Sequence, residues 1–388
     1  MGDIVETSSQ GWLSRIMESI KGVLFGLVMV VAAFPLLFVN EGCAVKIAKG
    51  LAEGRGQVVM AVATAVNPAL EGKLVHLSGR AVSKHGVTDP VLGVVAPGAI
   101  RLERLVEMYQ WVEKVETTKD KKLGGSEETV KTTTYSKEWS SSEVSSANFK
   151  LREKNGEPLV NPPMAMKGGS VVANDVMVGA HALSEGLVEQ LTGGTTMPLD
   201  GNVLATLPES IKARARLHDG GIAVGDPASP RIGDLRIRLT KLDATDVSVV
   251  AKQTGQALTA WQTSQGTTIA MLEQGTRSAD EMFSSAEASN VTRTWVVRLL
   301  GFLCMLIGFS MIFKPLSVVA DVVPFIGSLV GMGTGVVAFA LAAPLSLLTI
   351  AIAWIVYRPL LGIALVVVGI AVFVGIYRLA NQRQAAAG

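Results

Sequence analysis

From Gly22 to Val39 the chain runs "GVLFGLVMVVAAFPLLFV" without a charge, long enough to cross roughly 30 Å of hydrocarbon as a helix. Arg15 and Lys21 precede the run, the arrangement of a signal peptide with Gly42 and Ala44 as weak small-residue cleavage positions. The run is long for a signal core and leads into the polar "NEG", so an uncleaved anchor is expected over 22–39. A second apolar cluster opens at Trp295, where "WVVRLLGFLCMLIGFSMIFK" predicts a span over 295–313 with Trp295 and Arg298 near one interface. Residues 314–331 carry Asp321 and two prolines and read as an interfacial or re-entrant segment. Third and fourth spans follow at 332–357 and 359–377. Only "YRP" joins them, which makes them antiparallel and leaves Arg358 to snorkel. Four spans place residues 1–21 and 378–388 on one side and residues 40–294 on the other. Lys and Arg are balanced between the two sides, so charge alone sets no orientation.

Between the spans the period changes. "NEGCAVKIAKGLAEGRG" places Ala44, Ile47, Ala48 and Leu51 at helical spacing, a juxtamembrane helix. "QVVMAVAT" and "GKLVHLSG" are short β-type runs. From Arg101 to Thr118 apolar and polar residues roughly alternate, and after the polar "KDKKLGGSEE" the run "TVKTTTYSKEW" alternates again. A long β-hairpin over 101–139 follows. Tyr109 and Trp111 share one face of its first strand, and Tyr135 and Trp139 share one face of the second, which predicts cross-strand aromatic pairs. Glu103, Glu107, Glu113 and Glu116 interleave with Arg101, Arg104 and Lys114 as a solvated charged face. "GDLRIRLTKL", "TDVSVVAKQ", "QALTAWQ" and "TIAMLEQ" predict a meander or small barrel. Helices are expected near 179–191 and from a Ser278 cap into the second span. The predicted fold class is a multipass α-helical membrane protein of four spans with a large α+β, β-rich extramembrane domain.

Composition supports the membrane reading: 49% of residues are hydrophobic and only 18% charged, too apolar a balance for an ordinary soluble chain. The net charge of +2 provides no clustered positive face, so nucleic acid is set aside as a partner. Two cysteines, Cys43 and Cys304, make neither a disulfide framework nor a thiolate metal cluster. His76, His85, His181 and His218 stand apart, and no HExxH, CxxC or GxSxG occurs. No catalytic residue, metal or cofactor is therefore predicted. The spans hold no ionisable residue at mid-depth, which disfavours an ion or proton transporter. Gly22 with Gly26, and Gly327, Gly331 and Gly335, form GxxxG steps. They are the candidate helix-packing and oligomerisation positions. "GMGTG" is too short for a phosphate loop.

The strings "FVNEGCAVKIAKGLAEG", "EGKLVHLSG", "RLVEMYQWVE", "YSKEW", "IGDLRIR" and "SLLTIAIAWIVYRPL", collinear from about residue 36 to 361, resemble the transmembrane protein 43 (LUMA) family. That resemblance implies four spans, termini on the cytoplasmic or nucleoplasmic side, a lumenal or periplasmic domain and self-association. It supplies no catalytic residues. The Gly/Ala/Val-rich bias suggests a bacterial member in the inner (cytoplasmic) membrane, whereas a eukaryotic one belongs in the endoplasmic reticulum or inner nuclear membrane. The expected function is a non-enzymatic membrane scaffold that homo-oligomerises and organises a microdomain or complex, with membrane lipids and other membrane proteins as further partners. The alternative is a membrane-anchored binding module presenting Tyr109, Trp111, Tyr135 and Trp139 to a protein, peptide or glycan.

Overall fold

The computed structural model describes residues 4–360, 362 and 364. Three helices among them are long and apolar enough to cross a membrane: α1 (Trp12–Gln57), α2 (Ala279–Ala320) and α3 (Pro324–Tyr357). The fourth span expected at 359–377 and the tail at 378–388 lie almost wholly outside the described residues.

At 46 residues, α1 is about 69 Å long and joins the expected first span to the expected juxtamembrane helix without a break. Asn40 and Glu41 in "NEG" do not end it, because their side chains bond to other helices instead of competing for their own backbone. The interfacial or re-entrant segment expected at 314–331 does not form a separate element. Residues 314–320 complete α2, with Pro315 inside the helix, and 321–323 turn. Pro324 then opens α3, where its fixed φ suits a first helical turn and its missing N–H is not needed. At the other end of α2 the Ser278 cap forms: the Ser278 hydroxyl accepts from Glu281 N at 3.2 Å, and the Glu281 carboxylate accepts from Ser278 N at 2.7 Å, a reciprocal capping box.

The strands that matter for the site are β1 (Ile4–Gln10), β2 (Leu74–Ser83), β3 (Arg101–Lys121) and β4 (Glu127–Ser140). They are followed by β5 (Val176–Val178), β6 (His181–Leu183), β7 (Ala215–His218), β8 (Gly221–Val224), β9 (Leu235–Leu242), β10 (Thr245–Thr254), β11 (Ala257–Thr259) and β12 (Met271–Gln274). One sheet runs β1-β4-β3-β9-β8-β7. The expected hairpin is thus the β3/β4 ribbon, with the first residues of the chain as a third strand. In the other sheet β2-β5-β6-β11-β10 closes on itself through the β2–β10 pairing, and β12 adds to β10.

A barrel-like closure therefore exists, and three of the four strands predicted for the meander are in that sheet, with β11 and β12 both paired to β10; the first is not. β9 and β10 are consecutive yet lie in different sheets: Leu239 pairs with Arg104 on β3, and Val249 pairs with Leu77 on β2. The helix expected near 179–191 is mostly strand and loop, with only Glu185–Val188 helical. Gly179 is the reason. It turns β5 into β6 at φ +61, and a Cβ there would sit 2.1 Å from the Ala63 carbonyl oxygen.

Leu102, Val106 and Met108 on β3, Ile237 and Leu239 on β9, and Val247 and Val249 on β10 belong to one buried apolar cluster. Each such side chain contributes roughly 1.5–3 kcal/mol by leaving water. The chain divides into two compact units. A β unit holds Ala52–Thr118 and Val130–Ser284 with the first residues of the chain. A helical unit holds Thr7–Leu51, Lys119–Thr129 and the chain from Ser285 onward. The ribbon tip therefore belongs with the helices.

Candidate functional site

The four ribbon aromatics fall into two groups. Tyr109 and Trp139 have ring centroids 5.2 Å apart, with the Arg236 guanidinium 3.8 Å over the Trp139 ring. Trp111 and Tyr135 are buried with Phe149 and Leu159, and Val144 and Leu151 pack on them. The Tyr135 hydroxyl donates to Glu113 at 2.5 Å and accepts from Lys150 N at 3.0 Å; burial raises its pKa above the ordinary tyrosine value. Asn161 bonds both the N–H and the carbonyl of Trp111. The segment 144–161 thus lies over the Trp111–Tyr135 part of the face that the sequence offers as a binding surface, while Tyr109 and Trp139 are half-buried.

The charged residues of β3 do not all share a solvated face. Arg104 has the parity of Leu102 and Val106, and its side chain is buried. There it pairs with Asp89, also buried, and donates to the Lys167 carbonyl at 3.1 Å. Its charge groups it with Glu103 in the sequence, but alternation puts it on the opposite, core-facing side with Leu102 and Val106.

The histidines sit in unrelated surroundings. His76 lies in the barrel-like sheet with Nε2 2.9 Å from the Arg277 carbonyl, and burial pushes its pKa below the ordinary 6.5. His181 is buried, with Nδ1 3.3 Å from the Ala63 carbonyl. His85 and Ser83 both reach Asp175, at 2.7 and 2.5 Å. The Ser83 hydroxyl donates straight to the carboxylate, so no imidazole stands over it as a base. Together these bonds brace a turn and hold the Asp175 pKa down at about 2. Among the described residues no three His, Cys, Asp or Glu side chains are placed to hold a metal ion.

In the helical unit two carboxylates organise the packing. Glu41 on α1 is buried and takes both prongs of the Arg298 guanidinium on α2, at 2.6 and 2.8 Å. It also accepts from Trp354 Nε1 on α3 at 2.7 Å. Arg298 in turn lies 4.7 Å from the Trp295 ring and 5.6 Å from the Trp354 ring. One carboxylate therefore ties all three helices at one level. Such polar contacts matter between membrane helices, where apolar burial gives no net drive for association.

The second carboxylate, Asp321, is fully buried in the α2–α3 turn. It accepts from Arg15 on α1 at 2.6 Å and from Lys121 on the ribbon at 2.8 Å. Arg15 also reaches the Gly125 carbonyl at 2.5 Å and Glu127 at 3.3 Å, while Gly124 N donates to the Val322 carbonyl at 2.9 Å. Trp12 closes the seat through Nε1 to the Val318 carbonyl at 2.9 Å. Gly125 sits at φ +79, and a Cβ there would lie 2.3 Å from the Trp12 ring. A lone Asp in the apolar "SVVADVVPF" signals this site, but its ribbon partner Lys121 is not readable from sequence. Glu41 and Arg298 are visible only as polar residues at span ends.

The predicted packing glycines have three different surroundings. A Cβ on Gly26 would lie 2.5 Å from the Gly308 carbonyl oxygen, and one on Gly22 would touch Met311 at 3.6 Å. The pair thus lines a close α1–α2 crossing, with Gly308 as a partner that the motif does not reveal. Gly327 is pressed against Asp321. Among the described residues, a Cβ on Gly331 would make one ordinary contact with Ser317, and one on Gly335 would meet nothing within 4 Å.

Residues 108–359 match the family model Transmembrane protein 43. The human protein of that name is 34% identical over 95% of this chain and 92% of its own length. The rat protein is 35% identical over 90% of this chain and 88% of its own. The homolog from Drosophila melanogaster is 29% identical over 90% and 93%. No solved structure matches. With matches extending through the clamped helices and the ribbon, this chain belongs to the transmembrane protein 43 family.

Proposed function

We propose that this chain is a non-enzymatic membrane scaffold that assembles with copies of itself and organises a protein complex or membrane patch around it. The seat of the ribbon tip carries the reading. Arg15 and Glu41 lie 26 residues apart on α1, about 39 Å along the helix axis and more than the roughly 30 Å of a hydrocarbon core. The tip is held at the Arg15 end and the Glu41 clamp marks the other. With the first span at 22–39, residues 119–129 share a side with Trp12. That differs from the assignment drawn from hydropathy, in which all of 40–294 lay together. The tip carries exposed Lys119 and Asp120 beside helices whose outward faces are exposed Leu, Val and Phe, and polar backbone next to lipid is favoured where protein or water surrounds it.

Neighbouring copies packed around the tip would provide that surrounding. The open Gly335, flanked by exposed Met332 and Val336, offers a close-approach surface for a neighbouring helix. The binding-module alternative needs segment 144–161 to leave Trp111 and Tyr135, and nothing in the packing favours that. The test is the molar mass of the full chain in mild detergent, by light scattering and single-particle electron microscopy. A closed multimer that becomes smaller with Gly335→Leu, at a position where an added Cβ meets no described residue within 4 Å, is the expected result. A monodisperse monomer, in detergent and again in lipid nanodiscs, would overturn the reading.

A further inference from the structure

We infer that the crevice between α1 and α2 at the Asn40 level is a binding site for one anionic phospholipid. The crevice has a volume of about 430 Å³, within the range of small-molecule sites. Pro35 lies at its lower end, inside α1, where a proline removes one backbone hydrogen bond and bends the helix. Two asparagine bridges stitch the helices around it: Asn40 Nδ2 donates to the Thr294 carbonyl at 3.3 Å, and Asn290 Nδ2 donates to the Ala44 carbonyl at 3.0 Å.

The walls are graded along the axis. Leu36, Val39 and Val297 line the end toward the apolar run, and Arg293 lines the end beside Asn290. Exposed Trp295, two residues from Arg293, marks the same level as an interface, where tryptophan is enriched. Helical spacing sets Lys46 at the edge of the α1 stripe made by Val39, Cys43 and Ile47. Lys46 and Arg293 are both exposed, and neither forms an ion pair with a described residue. An acyl chain on the apolar wall therefore places its phosphate beside two unneutralised cations.

Two neighbouring crevices show why the charge preference falls here. The one between α1 and α3, lined by Phe34, Phe38 and Leu348 with Thr349, has no charged lining residue. In the one between α2 and α3 the cation is Arg298, already neutralised by Glu41. Of these three crevices, the Arg293 one joins an apolar slot to positive charge that is unpaired among the described residues. The inference rests on α1 and α2 crossing a bilayer and is independent of the number of copies.

The experiment is native mass spectrometry of the full chain from mild detergent, titrated with phosphatidylglycerol or phosphatidylcholine, with particle mass read in the same spectra. Wild type is expected to retain phosphatidylglycerol preferentially. Arg293→Gln should weaken it about 5-fold and Arg293→Gln with Lys46→Gln about 30-fold, as expected for one and two cations at a membrane surface, with phosphatidylcholine uptake unchanged. Lys49→Gln, on the far side of α1 from the crevice, should change it less than 2-fold. Cys43 lines the crevice and is exposed, so maleimide labelling of Cys43 should slow in phosphatidylglycerol nanodiscs relative to phosphatidylcholine nanodiscs. An unchanged preference in the double variant, or an equal loss with Lys49→Gln, would overturn the site. A monomeric particle that keeps the preference would sink the scaffold reading and leave the lipid site standing.

Discussion

The β unit and the helical unit each bury an arginine against a carboxylate, and the two pairs do different jobs. Arg104 and Asp89 sit beside a core of Leu102, Val106, Ile237 and Leu239, where leaving water is the main source of stability. The pair adds specificity to a fold already driven by burial. Glu41 and Arg298 join helices whose outward faces are Leu, Val and Phe, residues that lipid solvates as well as protein does. There the carboxylate, the tryptophan N–H and the Gly26–Gly308 approach make up much of the available attraction. A polar contact is thus worth judging against what its surroundings would do without it.

The largest expected effect comes from breaking the pair in the β unit. Arg104→Met leaves Asp89 buried without its guanidinium, and the loss of such a partner costs about 3–5 kcal/mol. The measurement is the urea midpoint of the β signal by circular dichroism; a shift as small as that of a surface change would remove Arg104 from the core account. Next is Glu41→Ala, which strands Arg298 and the Trp354 N–H and should cost about 1.5–3 kcal/mol in a thermal melt in detergent. Glu41→Gln retains an acceptor and should fall between. If both variants melt with wild type, the contrast between the units collapses.

Gly26→Ala sharpens the comparison from the packing side. Its Cβ meets the Gly308 carbonyl, and overpacking of this kind costs about 1–3 kcal/mol, while Gly335→Ala should leave the melt of the single chain within about 0.5 kcal/mol. Equal effects at the two glycines would mean that Gly26 is not a crossing point. The smallest effect is acid-dependent and confined to the β unit. Asp175 is held at about 2, first by the Ser83 hydroxyl, against an ordinary 3.8. The unfolded chain therefore takes up its proton first as pH falls. The stabilisation is complete above about pH 3.8 and fades toward pH 2. Asp175→Asn should flatten that limb of the pH–stability curve, and an unchanged limb would assign acid loss to other carboxylates.

Much of the fold was legible as local pattern. The apolar run at 22–39, the alternation from Arg101 onward and the Ser278 cap each became the element that they signalled. Misreadings came where a neighbour overrode the local pattern. Helical periodicity near 179–191 yielded to the turn at Gly179, and adjacency of "GDLRIRLTKL" and "TDVSVVAKQ" was mistaken for pairing. At the site, GxxxG spacing found Gly26 but could not name Gly308, and the aromatic stripe gave no hint of the segment that covers Trp111 and Tyr135.

The sequence by itself determined the apolar helices, the long ribbon strands and the family to which the chain belongs, because periodicity, caps and shared strings are local properties. Only the tertiary structure decided that Glu41 joins Arg298 and Trp354, that Asp321 receives Arg15 and Lys121, and that Gly335 is open among the described residues. Those partners are separated by up to hundreds of residues. Their choice depends on which distant surfaces satisfy a buried charge or fill a gap, and a single sequence carries no local mark of that choice.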